Sequence, residues 1–328
     1  MARFIEASEF DESAAANLRY SVVGYGNQGR AHALNLRDSG RHVVVGAREG
    51  GSGYQQALAD GFEPVALAEA VKSGEVVMLS LPDMVLPEIW STEIESNLMS
   101  GQTLLFAHGF NVVYNLIDFG SKVDIGLVSP KGAGAKLRSE FLEGRGLAAL
   151  VSVHQDVSGQ AWQRVLSYSH GIGSFRCLVM ETTFREETHT DLFGEQTVLC
   201  GGIPELLKSA FNTLVDAGYS PEAAYFECVH EAKLITDLIY ARGLAGMRQA
   251  ISDTAEWGGL TVGQSIVGSA TKTAMKEALD AIQSGEFAEE WSRECRAGQN
   301  RLKELESEES RLPVEQVGAH LRQQMGIE

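Results

Sequence analysis

The feature that most constrains this chain is a change of rhythm near residue 181. Before it, short apolar runs at 20–24, 42–46, 76–81, 103–107, 124–128 and 147–153 alternate with amphipathic stretches such as 30–39 and 55–60. Each run is β-branched or Leu-rich and apolar on both faces, as a strand buried in a parallel sheet must be. Strand, helix and strand at this spacing predict a doubly wound α/β domain built on a parallel sheet. After residue 181 the strand-like runs stop and apolar residues recur at helical spacing. Leu206, Leu207, Ala210, Phe211, Leu214 and Val215 form one stripe, Leu234, Ile235, Leu238 and Ile239 another, and Met275, Leu279 and Ile282 a third. The second half therefore reads as an all-helical domain. With 328 residues, too many for one ordinary core, the expected division is 1–182 and 183–328.

Composition excludes several classes of function. The 44 acids outnumber the 27 bases, for a formal charge of −17, which disfavours nucleic acid as a partner because phosphate binding depends on Lys and Arg. No apolar run approaches the roughly 20 residues of a membrane helix, so no membrane partner is expected. The N-terminal stretch carries acids where a signal peptide requires a basic start. Cys177, Cys200, Cys228 and Cys295 have no paired spacing, and are expected to be small buried hydrophobes in a reducing cytoplasm.

The first turn of the α/β half carries a specific signal. Gly24-Tyr25-Gly26-Asn27-Gln28-Gly29 is a G-x-G-x-x-G between a strand and a helix. Gly24 permits the tight turn, Gly26 lets the backbone approach a pyrophosphate, and Gly29 lets helix and strand pack closely. At the end of the second run, where an NAD site usually has an acid, the chain has Arg48 and Ser52, donors suited to a 2′-phosphate. Glu49 opposes that charge. NADP(H) is favoured, with NAD(H) as the second option.

Four acids in the helical half carry the strongest chemistry. Asp191 and Glu195 are spaced i, i+4, as are Glu227 and Glu231, so each pair shares a helix face. An all-oxygen donor set suits a hard divalent ion, Mg²⁺ first. Either pair alone would be an ordinary solvated face. Their apolar neighbours (Leu192, Phe193, Val198 and Leu199; Tyr225, Phe226, Val229 and Leu234) predict burial, and a buried carboxylate without a base needs a cation.

These residues resemble a family. Gly24–Gly29 together with the segments at 106–111, 181–187, 190–196, 225–231 and 251–256 is similar to the short-form (class I) ketol-acid reductoisomerases, across roughly residues 18–325. The resemblance implies an N-terminal Rossmann domain and a knotted helical C-terminal domain. It also implies a homodimer or higher symmetric homo-oligomer in which two chains interlock and share active sites. Asp191 would bridge two Mg²⁺ ions and Glu195 complete the first; Glu227 and Glu231, from the partner chain, would serve the second, with Glu231 also acting on a substrate proton. His108 matches the family's active-site histidine, Lys131 its loop lysine and Ser252 the serine that touches the substrate carboxylate. Tyr25 to Gln28, Arg48, Asp83, Met84, Val85, Leu86 and Gly134 match nucleotide contacts. The implied reaction is Mg²⁺-dependent alkyl migration in a small-molecule ketol acid, 2-acetolactate or 2-aceto-2-hydroxybutanoate. NAD(P)H reduction to the 2,3-dihydroxy acid follows, in branched-chain amino-acid biosynthesis.

The chain departs from the family's usual pattern at several places. Lys131-Gly132-Ala133-Gly134-Ala135 lacks a usual proline and histidine, which predicts a looser loop. Gly51 and Gly53 stand where serines are usual, removing donors beside Glu49, and Ala232, Arg242, Gln264 and Ser265 replace usual residues in the helical half. Two other readings follow from these changes. One is a pathway-specific reductase acting on a different ketol or 2-keto-3-hydroxy acid; the other is a catalytically silent nucleotide-binding scaffold.

Overall fold

The computed structural model describes residues 2–12 and 17–327; residues 1, 13–16 and 328 of the expected domain ranges lie outside the described residues. The chain divides into two compact units, Met1–Thr190 and Asp191–Glu328.

The first unit is built on a seven-stranded sheet: β1 (Arg19–Val23), β2 (His42–Gly46), β3 (Val76–Leu79), β4 (Thr103–Phe106), β5 (Asp124–Pro130), β6 (Ala149–Gln155) and β7 (Val179–Glu181). Its order is β2-β1-β3-β4-β5-β6-β7. The connecting helices are α1 (Asn27–Asp38), α2 (Ser52–Ala59), α3 (Leu67–Ser73), α4 (Leu86–Ile89), α5 (Phe110–Val113), α6 (Gly134–Leu142) and α7 (Ala161–Gly171). Strand residues alternate between two cores, as a pleated sheet covered on both faces requires. Tyr20, Val22, Val76, Met78 and Leu105 pack with α1 and α7, while Val23, Val77, Leu79, Leu104 and Phe106 pack with α3. The doubly wound α/β architecture is therefore present.

Two details differ from expectation. β6 runs antiparallel to β5, with Pro130 opposite Ala149, while the other pairings are parallel. The chain leaves β5, makes the excursion through α6 and re-enters the sheet at the same end, where the Lys131 amide donates to Ala148 O (2.8 Å). A crossover would have delivered a parallel strand. The second detail is β7, three residues long, which sequence reasoning left out.

A continuous helix, α8 (Phe184–Gly194), contains the boundary between the units. Within the second unit, a π-helical turn at Glu195–Leu199 precedes α9 (Gly202–Asp216) and α10 (Pro221–Tyr225). A second π turn at Phe226–His230 leads into α11 (Glu231–Arg248), which is kinked at Gly243. Then come α12 (Asp253–Ile266), α13 (Ser269–Ser284), α14 (Glu286–Arg296), α15 (Asn300–Glu309) and α16 (Pro313–Gln324). Phe211 of α9, Ala224 and Tyr225 of α10, and Val314 and Leu321 of α16 form its core. Among the described residues no strand follows β7, and no helix is long and apolar enough to cross a membrane.

The expected burial of the cysteines does not hold. All four thiols are unpaired, Cys177 and Cys200 are exposed, and Cys228 and Cys295 only partly covered. Cys177 follows a 3₁₀ turn and Cys200 a π turn, so both stand where the backbone turns out toward solvent.

Candidate functional site

In an open α/β sheet, ligands gather at the carboxyl ends of strands where the strand order reverses. Here that point lies between β1 and β3, because β2 flanks β1 on one side and β3 on the other. A cavity of about 650 Å³ opens there, lined by the segments that leave four strands: Gly24 to Gln28, Ala47 to Tyr54, Leu79 to Leu86 and Phe106 to His108. Its size is that of an ordinary cofactor site.

The glycine turn has the geometry its sequence implies. Gly24 has φ +99°, and a Cβ there would lie 2.6 Å from Ser80 O, so two separate constraints exclude a side chain. A Cβ on Gly29 would lie 2.1 Å from Gly24 O, whereas one on Gly26 would meet nothing within 4 Å. Gly26 thus faces open space on the cavity wall, room into which a phosphate group fits against bare backbone. Two further cavity residues, Gln28 and Ser80, carry a buried oxygen (Gln28 Oε1 and Ser80 Oγ) with no partner among the described residues. Buried polar atoms are normally satisfied, and both of these unsatisfied oxygens belong to residues on the cavity wall.

Arg48 and Ser52 line the same cavity, with Ser52 the first residue of α2. A smaller neighbouring cavity of about 290 Å³ is lined by Arg48 together with Glu49 and Glu93. Gly53 has a steric reason of its own: a Cβ there would stand 3.0 Å from Tyr25 O, so a larger residue would press on the glycine turn. Asp83, Val85 and Leu86 line the main cavity, and Asn111 holds that segment by donating from Nδ2 to Asp83 O (3.1 Å). Met84 lies in the same segment but off the cavity wall, as does Gly29 in the glycine turn.

The loop after β5 is not loose. Gln28 donates from Nε2 to Gly132 O (3.0 Å), and a Cβ on Gly134 would lie 2.0 Å from Asn27 O. Gly134, which has no Cβ, lets this segment dock on the cofactor turn even though Ala133 stands where a proline is usual.

A buried carboxylate outside the candidates drawn from the sequence gathers several of this unit's polar groups. Glu187, on α8, is fully buried. Its Oε1 accepts from Lys131 Nζ (2.8 Å) and Ser129 Oγ (2.8 Å), and its Oε2 from the Gly109 amide (3.2 Å). The His108 ring places Nδ1 3.4 Å from Oε1 and 3.3 Å from Oε2. Burial alone would push the Glu187 carboxyl up, but the His108 ring, with the Lys131 ammonium, overcomes it and holds the group at about 2 against an ordinary 4.5. His108 also lines the main cavity, so the cluster and the glycine turn share one space. In sequence Glu187 is one of two adjacent glutamates on a helix, and no spacing distinguishes it from Glu186. Its burial arises because Gly109 lets α8 approach closely, a Cβ there falling 2.3 Å from Thr188 Oγ1.

The second unit places the four acids in two turns. Asp191 lies in the last turns of α8 and Glu195 opens the first π turn; Glu227 lies in the second π turn and Glu231 opens α11. Each pair thus straddles a junction between α and π geometry, a local widening that recurs at functional sites and costs hydrogen-bond quality. The expected burial is not found within this chain. Glu195, Glu227 and Glu231 are exposed and Asp191 half-buried, and their neighbours Val198, Leu199, Phe226 and Leu234 are exposed too. The helices that carry them turn these faces away from the unit's core around Phe211 and Tyr225. Ser252 is the N-cap of α12, its hydroxyl accepting from the Ala255 amide (3.2 Å).

Comparison with known proteins follows this division of the chain. Residues 15–177 match the family model "Acetohydroxy acid isomeroreductase, NADPH-binding domain", and residues 184–327 match "Ketol-acid reductoisomerase, C-terminal domain". The chain is 51% identical over 302 residues to a ketol-acid reductoisomerase (NADP(+)) of Pyrobaculum calidifontis, covering 92% of each protein. It is 50% identical, at the same coverage, to that of Pyrobaculum arsenaticum. Among solved structures, an NADH-preferring ketol-acid reductoisomerase from an uncultured archean superposes with a TM-score of 0.95 at 41% identity, over 98% of both chains.

Proposed function

Since this chain belongs to the ketol-acid reductoisomerase family and is an NADP-dependent oxidoreductase-isomerase of that kind, we propose that it converts 2-acetolactate or 2-aceto-2-hydroxybutanoate to the 2,3-dihydroxy acid by alkyl migration and reduction. The observation that carries the reading is the buried Glu187 carboxylate, which joins Lys131 to His108, a residue on the wall of the main cavity. A silent scaffold has no use for a carboxylate fully buried between two bases.

The donor chemistry of Asp191, Glu195, Glu227 and Glu231 fits two Mg²⁺ ions, which when bound supply Lewis acidity to the substrate's carbonyl and hydroxyl oxygens. The exposure of three of these acids suits a site completed by a second copy, with the partner's Glu227 and the partner's Glu231 facing Asp191 and Glu195. The assembly is accordingly a homodimer or a higher symmetric homo-oligomer. A nicotinamide dinucleotide would lie along Gly24 to Gly29 and supply the hydride for the second half-reaction.

The chain's own groups then have distinct tasks. Glu187 remains ionised and fixes the proton of His108 on Nδ1, which leaves proton exchange to Nε2. The same carboxylate keeps Lys131 protonated and aimed beside His108, where its charge favours oxyanion character on the substrate. Glu231 accepts the proton released from the substrate hydroxyl. Ser252 has its hydroxyl oxygen engaged as a cap, which leaves its O–H proton to donate to the substrate carboxylate. Arg48 and Ser52 favour the 2′-phosphate of NADP(H) while Glu49 and Glu93 oppose it, so NAD(H) is used as well, within about tenfold (1.4 kcal/mol) of NADP(H).

The test follows nicotinamide absorbance with 2-acetolactate, with Mg²⁺ and with chelator, in parallel with the already isomerised 3-hydroxy-3-methyl-2-oxobutanoate. Mg²⁺-dependent oxidation with 2-acetolactate is expected. Turnover with the isomerised acid only would support the reductase reading, and cofactor binding without turnover on either would support the silent scaffold.

A further inference from the structure

One partly buried acid in the first unit belongs to none of the groups described so far. Asp60 directly follows α2, the helix whose first residue is Ser52, and its side chain is only 12% exposed. Arg30, in the first turn of α1, grips it with two bonds, Nε to Oδ2 (2.6 Å) and Nη2 to Oδ1 (2.8 Å). The hydroxyl of Tyr25, from inside the glycine turn, donates to Oδ2 (3.0 Å), and Gln56 Nε2 donates to Oδ1 (3.3 Å). The Asp60 backbone is held too, because Arg37 donates from Nη1 to its carbonyl (2.7 Å). Arg37 also lies over the Phe62 ring (4.8 Å), which meets Tyr25 edge to face (5.8 Å between centroids).

We propose that Asp60 is a positioning residue for the dinucleotide, acting through Tyr25 to lock the glycine turn and the 2′-phosphate loop into one preformed cradle. Tyr25 is the link. Its ring is almost wholly buried, its backbone oxygen stands where a Cβ on Gly53 would meet it at 3.0 Å, and its hydroxyl ends on Asp60. The turn that receives the pyrophosphate and the far end of the helix that begins at the 2′ loop are therefore tied through one side chain. Without the carboxylate, a buried phenol and a guanidinium lose their partner, and the two segments must be ordered anew each time cofactor binds. The charge works the other way: an acid near the cofactor's phosphates repels them, so its presence is explained by organisation rather than attraction.

The inference rests on the reading that this cavity takes a nicotinamide dinucleotide, and the test separates the two claims. NADPH is titrated against the unmodified enzyme and against Asp60→Asn and Tyr25→Phe, singly and together, by nicotinamide fluorescence. Steady-state constants are measured with 2-acetolactate. If the unmodified enzyme shows no NADPH binding, the dinucleotide reading itself falls. If it binds, Asp60→Asn is expected to raise the NADPH Kd about tenfold, leaving kcat at saturating cofactor and the KM for 2-acetolactate within about twofold. Tyr25→Phe is expected to raise the Kd about threefold, and the double variant to be no worse than Asp60→Asn alone, since one link cannot be cut twice. An unchanged or tighter Kd in Asp60→Asn would overturn the proposal, as would equal losses in all three constants or full additivity. Tyr25→Phe removes one oxygen only, so it decides the matter even where Asp60→Asn fails to fold: an unchanged Kd there overturns the link.

Discussion

At the scale of single residues, Glu187 holds the centre of the cluster. Its carboxylate accepts from Lys131, Ser129 and the Gly109 amide while His108 lies against it, so removing its charge disturbs both bases at once. Glu187→Gln is expected to lower kcat by about 10- to 100-fold while the NADPH Kd stays near that of the unmodified enzyme. The same substitution has a pH signature. A carboxyl held at about 2 in the folded chain, against an ordinary 4.5, stabilises the fold fully above about pH 4.5 and loses that contribution as pH falls toward 2. Melting temperatures followed from pH 6 to 2 should therefore converge for the unmodified enzyme and Glu187→Gln; a constant gap would contradict the assignment. Much of the cofactor side was legible in the sequence because the spacing of Gly24, Gly26 and Gly29 announces the turn, although the neighbour that excludes a side chain at Gly24 is Ser80, just past β3. Glu187 and Asp60 were not legible. Glu187 ends the 181–187 segment but owes its role to partners 56 to 79 residues away, and the Arg30 and Tyr25 that hold Asp60 lie 30 and 35 residues from it.

At the scale of elements, the strands were readable because β-branched runs buried on both faces leave a continuous apolar signature. The direction of β6 was not readable, since a strand buried on both faces looks the same whether it runs parallel or antiparallel. Nor were the π turns, which leave the i, i+4 spacing of each acid pair intact while altering the helix beneath it. The docking of the 131–135 loop on the glycine turn is another element-level feature, and it concerns the lysine directly. Gly134 opens α6, and a Cβ there would fall 2.0 Å from Asn27 O. Gly134→Ala must push apart the cofactor turn and the Lys131 loop, because the clash is with backbone on one side and a helix start on the other. A rise of at least about tenfold in the NADPH Kd is expected by titration, together with a fall in kcat. Unchanged constants would show that the two segments move independently.

At the scale of the whole molecule, the open question at the sequence level was what neutralises four acids in apolar company. The apolar company is real, but Val198, Leu199, Phe226 and Leu234 are left facing outward while Leu192 and Tyr225 are buried. On α11 and α12, Tyr240 (94% exposed), Leu244 (69%), Trp257 (72%) and Ile266 (58%) stand in solvent, and α12 has no buried residue at all. Apolar surface of this extent is what the proposed homo-oligomer would cover. Light scattering coupled to size exclusion should accordingly give a mass of at least twice the 35.5 kDa of one chain, and Trp257→Glu should lower that mass and abolish Mg²⁺-dependent turnover together. A monomer with full activity would refute shared sites. The claim on which the rest depends is that the chain rearranges a carbon skeleton before reducing it. Proton NMR of the product formed from 2-acetolactate, NADPH and Mg²⁺ tests this without intermediaries. Migration followed by reduction places both methyl groups on C3 and predicts two methyl singlets. A methyl singlet with a methyl doublet would show that the ketone was reduced where it stood, and would contradict the account.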